Sequence, residues 1–269
     1  MSNIHMNHLP KIGLGTFLST GEEAYHSVRT ALETGYRLID TAAVYENEKE
    51  VGKAIADSGI ARKDIVVSTK LYAKKTGYQQ VIQECKKSLK NLNLEYVDIY
   101  FIHWMPRSYE DLLDTWRGME YLYEKGYCRA IGVCNITLYY LDRLVKDAKI
   151  SPMFCQIEFH PFLQQTLFLE YCRNHKITVI GFGLFAKGLV FQNDTLKKLA
   201  DFTESSVANL VLSWGMKCGV LPLVKSVHPQ RIQDNYEKNF DVSTMLMEEL
   251  TKLNDGLRVY RDPENNPYV

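Results

Sequence analysis

Eight short apolar runs recur along the 269-residue chain, and their regular spacing limits the architectures open to it. They are KIGLGT (11–16), YRLID (36–40), IVVSTK (65–70), VDIYFIH (97–103), AIGVCN (130–135), FCQIEF (154–159), TVIGFG (178–183) and LPLVKS (221–226). Most are continuously apolar rather than alternating, the pattern of strands buried on both faces. Helical patterns lie between them. In 22–34, Ala24, Val28, Ala31 and Leu32 share one helical face, and Gly35 stands as a stop. In 47–56, Asn47 and Glu50 have capping-box spacing ahead of a stripe of Val51, Ala54 and Ile55. Similar stripes run through Val81–Ile82–Cys85–Leu89, Leu112–Leu113–Trp116–Met119 and Leu138–Leu141–Leu144–Val145. Strand ends recur about every 25–45 residues, the length of one β-loop-α-loop unit. Eight such units predict an α/β fold, a (β/α)8 barrel forming a single domain over residues 1–269. No linker rich in Gly, Ser or Pro divides it. The run 241–254, with Met245, Leu246, Leu250 and Leu253, predicts an extra helix, and RDPENNPYV is a polar tail.

An open doubly wound sheet also alternates strand and helix, but it normally carries G-x-G-x-x-G after its first strand. Here Gly13 and Gly15 give only G-x-G, and Thr16–Phe17–Leu18 do not continue it. The barrel is favoured. Net charge is zero, so no basic field points to nucleic acid or an anionic membrane. No apolar run approaches the ~20 residues of a spanning helix, and MSNIHMNHLPK lacks the pattern of a signal peptide. Six cysteines without a C-x-x-C pair read as reduced thiols in a cytoplasm. The seven histidines are dispersed, with no H-x-H or H-E-x-x-H, so no metal site is expected.

In such a barrel the C-terminal ends of the strands form the mouth of the site. Asp40 ends the second strand and Tyr45 follows five residues later; Lys70 ends the third strand and His103 the fourth. Singly, each has a plain structural explanation: a helix cap, a packed phenol, a solvated charge, a core imidazole. Together on three adjacent strands they form a proton-transfer set. A free tyrosine, with a pKa near ~10, is a poor acid at neutral pH. A neighbouring ammonium is expected to depress that value, an aspartate to hold the ammonium, and a histidine to donate a hydrogen bond to a substrate carbonyl oxygen. Tyr45 would then supply a proton as charge develops on that oxygen.

The stretches GLGTF, DTAAVYENEKEVGKAI, STK, YVDIYFIHW, IGVCN, QIEFHP and PLVKSVHPQRIQDN, in that order, resemble the aldo-keto reductase family over nearly the whole chain. The resemblance implies an NADPH-dependent reductase of aldehydes or ketones, with Asp40, Tyr45, Lys70 and His103 as its tetrad and Tyr45 as general acid. It also implies a nicotinamide cofactor across the barrel mouth. Asn135 and Gln156 would bind the carboxamide and Phe182 would stack on the ring, with Thr16 and Asp40 also in the cofactor set. Pro229 suits the first turn of a helix whose free N–H groups attract phosphate, and Lys225, Ser226 and Arg231 add donors and charge. That set matches the family's 2′-phosphate site, and Asp234 and Asn235 match adenine contacts. Phe17, Trp104, Tyr45 and His103 would line the pocket for a small-molecule carbonyl substrate, and the family's barrels imply a monomer.

Four departures stand out. Cys134 precedes Asn135 where a serine is usual, and Phe182–Gly183 replaces tyrosine–serine. Val224 replaces a proline before Lys225, and Phe17 a tryptophan. The N-terminal segment lacks the family's Gly-containing turn, so its barrel-bottom plug is expected to be short or irregular. Two other functions use the same barrel. A Schiff-base aldolase would use Lys70 as nucleophile but needs it unprotonated. A regulatory barrel that binds cofactor without turnover would more readily have lost one of the four residues.

Overall fold

A computed structural model describes residues 9–237 and 240–265. All eight apolar runs supply strands: β1 (Gly13–Gly15), β2 (Leu38–Asp40), β3 (Val66–Leu71), β4 (Val97–Ile102), β5 (Cys128–Cys134), β6 (Phe154–Glu158), β7 (Thr178–Phe182) and β8 (Val220–Val224). Each pairs in parallel with the next, and β8 closes on β1. Helices α1 (Gly21–Thr34), α2 (Glu48–Asp57), α3 (Tyr78–Leu92), α4 (Tyr109–Glu124), α5 (Leu138–Asp147) and α6 (Thr166–Asn174) follow strands β1 to β6 in turn. Two helices, α7 (Asp194–Phe202) and α8 (Val207–Lys217), separate β7 from β8. Then come α9 (Pro229–Glu237) and α10 (Thr244–Thr251), the latter inside the stretch 241–254. The N-terminal plug falls on residues 1–8 and the end of the polar tail on 266–269, both outside the described residues. Among the described residues no helix is long and apolar enough to cross a membrane.

The period-two alternation of strands sorts the side chains into two layers. Ile39, Val67, Tyr100, Ile131, Val133, Cys155 and Val179 face outward into the core shared with the helices. Leu38, Ile99, Phe101, Ala130, Phe154, Ile180, Leu221 and Leu223 fill the barrel interior. At its centre Gly132 admits the Phe101 ring, because a Cβ there would lie 2.6 Å from Phe101 Cε1. Counting by twos from the interior set toward the mouth gives Asp40, Lys70, His103, Cys134, Gln156, Glu158 and Phe182. The apolar packing below therefore dictates which strand-end residues converge above. At the other end of the barrel, buried Asp98 accepts hydrogen bonds from Arg62 (2.7 Å), Arg129 (3.3 Å) and the Val67 N–H (2.9 Å). That cluster ties β3, β4 and β5 together and leaves the mouth free for chemistry.

Serine, threonine and asparagine side chains cap five helices: Ser108, Thr137, Asn193, Ser206 and Ser243 each accept a first-turn N–H. The capping box expected of Asn47 and Glu50 does not form. Asn47 is fully buried, and its Oδ1 accepts from Thr41 Oγ1 (2.7 Å) while its Nδ2 donates to the carbonyls of Thr16 (2.9 Å) and Ser19 (2.8 Å). Joining the β1–α1 and β2–α2 connections engages both ends of its amide and points it away from the helix N-terminus, to which it makes no bond. Asn47→Ala should lower stability by about 1–3 kcal/mol, the cost of leaving buried carbonyls unpaired. Urea unfolding would show it as a lower midpoint with an unchanged slope; a midpoint like that of the parent would mean that water replaces the amide.

Candidate active site

The register places Asp40 beside Ser68, two residues ahead of Lys70 on β3. Lys70 rises through the barrel to bring Nζ within 2.5 Å of Asp40 Oδ2, and also donates to the Thr41 carbonyl at 2.8 Å. The second carboxylate oxygen of Asp40 accepts from Ser68 Oγ (2.7 Å) and Gln156 Nε2 (3.0 Å). Lys70 has no exposed surface and Asp40 almost none. A 3-10 turn, Ala43–Tyr45, followed by left-handed Glu46, carries Tyr45 back over this pair. The Lys70 ammonium lies 5.1 Å from the Tyr45 ring centroid. His103, one residue past β4, meets the same phenol edge-on at 5.7 Å, and the Phe17 ring lies 5.1 Å from it. Trp104, half-buried, follows His103. The structure thus brings Asp40, Tyr45, Lys70 and His103 together around one point at the mouth.

The electrostatics correct one expectation. The Tyr45 pKa is not depressed: burial pushes it up to about 12, and the opposing pull of the Lys70 charge is smaller. Its position at the barrel mouth disfavours the charged phenolate, and this outweighs the ammonium. Burial by itself would lower the Lys70 pKa, but the charge of Asp40 reverses that and the net shift is upward. Lys70 is therefore a buried ammonium rather than a free amine. Burial, helped by the Lys70 charge, holds the His103 pKa well below its ordinary value. At neutral pH the site contains a protonated phenol, an ammonium–carboxylate pair and a neutral imidazole with one N–H to donate.

The residues expected to hold a cofactor ring the same mouth. Asn135 adopts a left-handed backbone (φ 51°) and donates from Nδ2 to the His103 carbonyl at 3.0 Å. Gln156 is held between Asp40 and the Cys134 thiol, whose Sγ lies 3.9 Å from Gln156 Oε1. The cysteine thus makes a long, weak contact with this amide. Thr16 is buried, with its hydroxyl on the Asp40 carbonyl (3.1 Å). Phe182 caps the interior cluster and is half-buried. Beyond β8, Ser226 Oγ accepts from the His228 N–H (3.1 Å) and sets the turn into α9, which begins at Pro229. Lys225 and Arg231 are exposed beside this helix start, Asp234 is half-buried with Oδ1 accepting from Gln230 (3.1 Å), and Asn235 is buried. Ser68 and Glu158 are additions. Each lies two residues from an anticipated inward residue, Lys70 and Gln156, so strand alternation was the available signal.

The model of the aldo/keto reductase family matches residues 11–255. Glyoxal reductase of Bacillus subtilis (strain 168) is 38% identical over 258 residues, covering 95% of this chain and 93% of its own. Among solved structures, an aldo-keto reductase from a Medee basin deep-sea metagenome library superposes with a TM-score of 0.94 at 37% identity, covering 97% of both chains. A Bombyx mori aldo-keto reductase in complex with NADP gives a TM-score of 0.88 at 31% identity, over 97% of this chain and 94% of that one.

Proposed function

The chain belongs to the aldo/keto reductase family and is an NADPH-dependent carbonyl reductase, and from that premise we propose which of its residues carry the reaction. The observation that carries the assignment is the buried Lys70–Asp40 pair beneath a protonated Tyr45. The substrate carbonyl oxygen sits beside both Tyr45 and His103, whose rings meet edge to face at the mouth. His103, being neutral, donates its N–H to that oxygen, and Tyr45 delivers the proton as negative charge develops there. Lys70 stabilises the phenolate that Tyr45 becomes, and Asp40 keeps Lys70 charged and in place. A Schiff-base aldolase would need the free amine of Lys70, which Asp40 and the Thr41 carbonyl deny it.

The mouth fits the cofactor on its own chemistry. Phe182 offers a flat apolar face, Asn135 and Gln156 offer amides, and exposed Lys225 and Arg231 flank the start of α9. NADPH, when bound, supplies the hydride that reduces the carbonyl carbon. Thr16 and Asp40 form the floor of the cofactor set, Ser226 shapes the phosphate turn, and Asp234 and Asn235 complete the adenine end. Phe17 and Trp104 wall the substrate pocket with aromatic surface. We infer small aldehydes and ketones as substrates, including the 1,2-dicarbonyl class to which glyoxal, in the name of the Bacillus subtilis relative, belongs. Six free thiols, five of them buried, support a reducing cytoplasm as the setting, and the likeness to the family supports a monomer.

Tyr45→Phe should lower carbonyl reduction by roughly 10²–10⁴-fold, the range of positioned acid catalysis, while NADPH affinity stays near that of the parent. NADPH oxidation at 340 nm with glyoxal and an aromatic aldehyde reads this, and a loss below tenfold would remove Tyr45 from the role. Arg231→Ala should weaken NADPH by roughly 10–150-fold, as expected for a charge-assisted bond of about 1.5–3 kcal/mol. NADH, which lacks the 2′-phosphate, should be almost unaffected. Fluorescence titration with both cofactors decides the point: equal losses would place Arg231 on a feature the two cofactors share.

A further inference from the structure

Phe182 packs against the interior cluster with one side of its ring and leaves the other toward the mouth. It has no hydroxyl to anchor it, it is half-buried, and Gly183 after it offers no side chain to lean on. The space a side chain at 183 would fill is taken by a residue from the far end of the chain. A Cβ on Gly183 would lie 2.6 Å from Tyr260 Cε2, and the glycine has φ 71°, a backbone that side chains rarely adopt. The Tyr260 ring meets Phe182 edge-on, with centroids 5.3 Å apart and planes at 81°. On its own face Tyr260 carries the Lys187 ammonium, 4.7 Å from the centroid, so the C-terminal segment also touches the β7–α7 connection.

What puts Tyr260 there is equally specific. Glu158 pairs in register with Phe182 on the neighbouring strand, and it is buried. Its carboxylate accepts from the backbone N–H of Val259 at 2.7 Å and of Tyr260 at 3.3 Å. His160 Nε2 (3.0 Å) and Arg258 Nη1 (3.5 Å) lie against the same carboxylate. Upstream, the N–H groups of Gly256 and Leu257 both donate to the Phe162 carbonyl. The segment is thus fastened to the end of β6 and the loop beyond it, and its tyrosine is delivered onto the adjacent ring of β7.

We propose that Tyr260 is a positioning residue for the nicotinamide half of the cofactor site, holding the Phe182 ring in the orientation that receives the nicotinamide. This rests on the reading of Phe182 as the stacking face. Edge-to-face aromatic pairs contribute on a scale that corresponds to about two- to twelvefold in affinity. Tyr260→Ala should therefore weaken NADPH by that factor. Adenosine 2′,5′-bisphosphate, which has the adenine end and no nicotinamide, should bind as before. Tyr260→Phe keeps the ring and should restore NADPH affinity. In a Phe182→Ala background, Tyr260→Ala should add nothing further.

Calorimetric titration of the parent and the four variants with both ligands separates the outcomes. If Phe182→Ala leaves NADPH binding unchanged, Phe182 is not the stacking face and the underlying reading falls, and the proposal with it. If Phe182→Ala weakens NADPH but Tyr260→Ala does not, only the positioning role is overturned. Equal loss of NADPH and adenosine bisphosphate in Tyr260→Ala would make the residue a general structural support and would also overturn it. So would effects of the two alanine substitutions that simply multiply in the double variant.

Discussion

The pairing of Lys70 with Asp40 inside the barrel is the interaction on which the site depends. Burying either charge alone would be costly, and a buried pair is at best a weak stabiliser of a fold. The barrel meets the cost with further hydrogen bonds: Ser68 and Gln156 on the carboxylate and the Thr41 carbonyl on the ammonium. The result is a fixed positive charge just below a phenol, in surroundings where water cannot screen it. Tyr45 remains protonated in that setting because the enclosure that strengthens the field also disfavours the phenolate. An acid held in reserve until negative charge appears beside it is what carbonyl reduction requires.

The same residues link the proton-transfer side of the site to the cofactor side. Gln156 donates to Asp40 and sits against Cys134, and Asn135 donates to the carbonyl of His103. The two amides proposed for the cofactor are thus already hydrogen-bonded to the Asp40 side chain and the His103 backbone. A cofactor that draws on either amide must therefore compete with these bonds or share them. The Cys134 contact on Gln156 is long and weak. The opposite face, with Phe182, Gly183 and Tyr260, shows the reverse tendency: side-chain bulk lost on β7 is replaced by a ring from the C-terminal segment.

Most of the barrel was legible because burial on both faces leaves an unambiguous mark on a strand, and Asp40, Lys70 and His103 were conspicuous as polar ends to apolar runs. Helix α8 was harder. Asn209 to Gly215 are all buried, so ANLVLSWG lacks the polar face that would reveal its period. Asn47 misled for a different reason: one side chain satisfied two patterns, and only the packing of the β1–α1 and β2–α2 connections shows which one it serves. The sign of the Tyr45 shift depends on how far burial outweighs the Lys70 charge, which no spacing of residues encodes. Tyr260 was invisible as a site residue because its partners, Phe182, Gly183 and Lys187, lie far upstream. The anchoring of the C-terminal segment by Glu158 and the Phe162 carbonyl brings them together.

The balance between burial and the Lys70 charge at Tyr45 can be read directly by ultraviolet difference titration of the cofactor-free protein. Subtracting the Tyr45→Phe signal isolates the one phenol. Its ionisation is expected near pH 12, and Lys70→Met should move it higher still, because only the lowering influence is removed. Ionisation at or below 10, the value of a free tyrosine, would contradict the dominance of burial. A titration indifferent to Lys70→Met would contradict the coupling of ammonium to phenol on which the site is built.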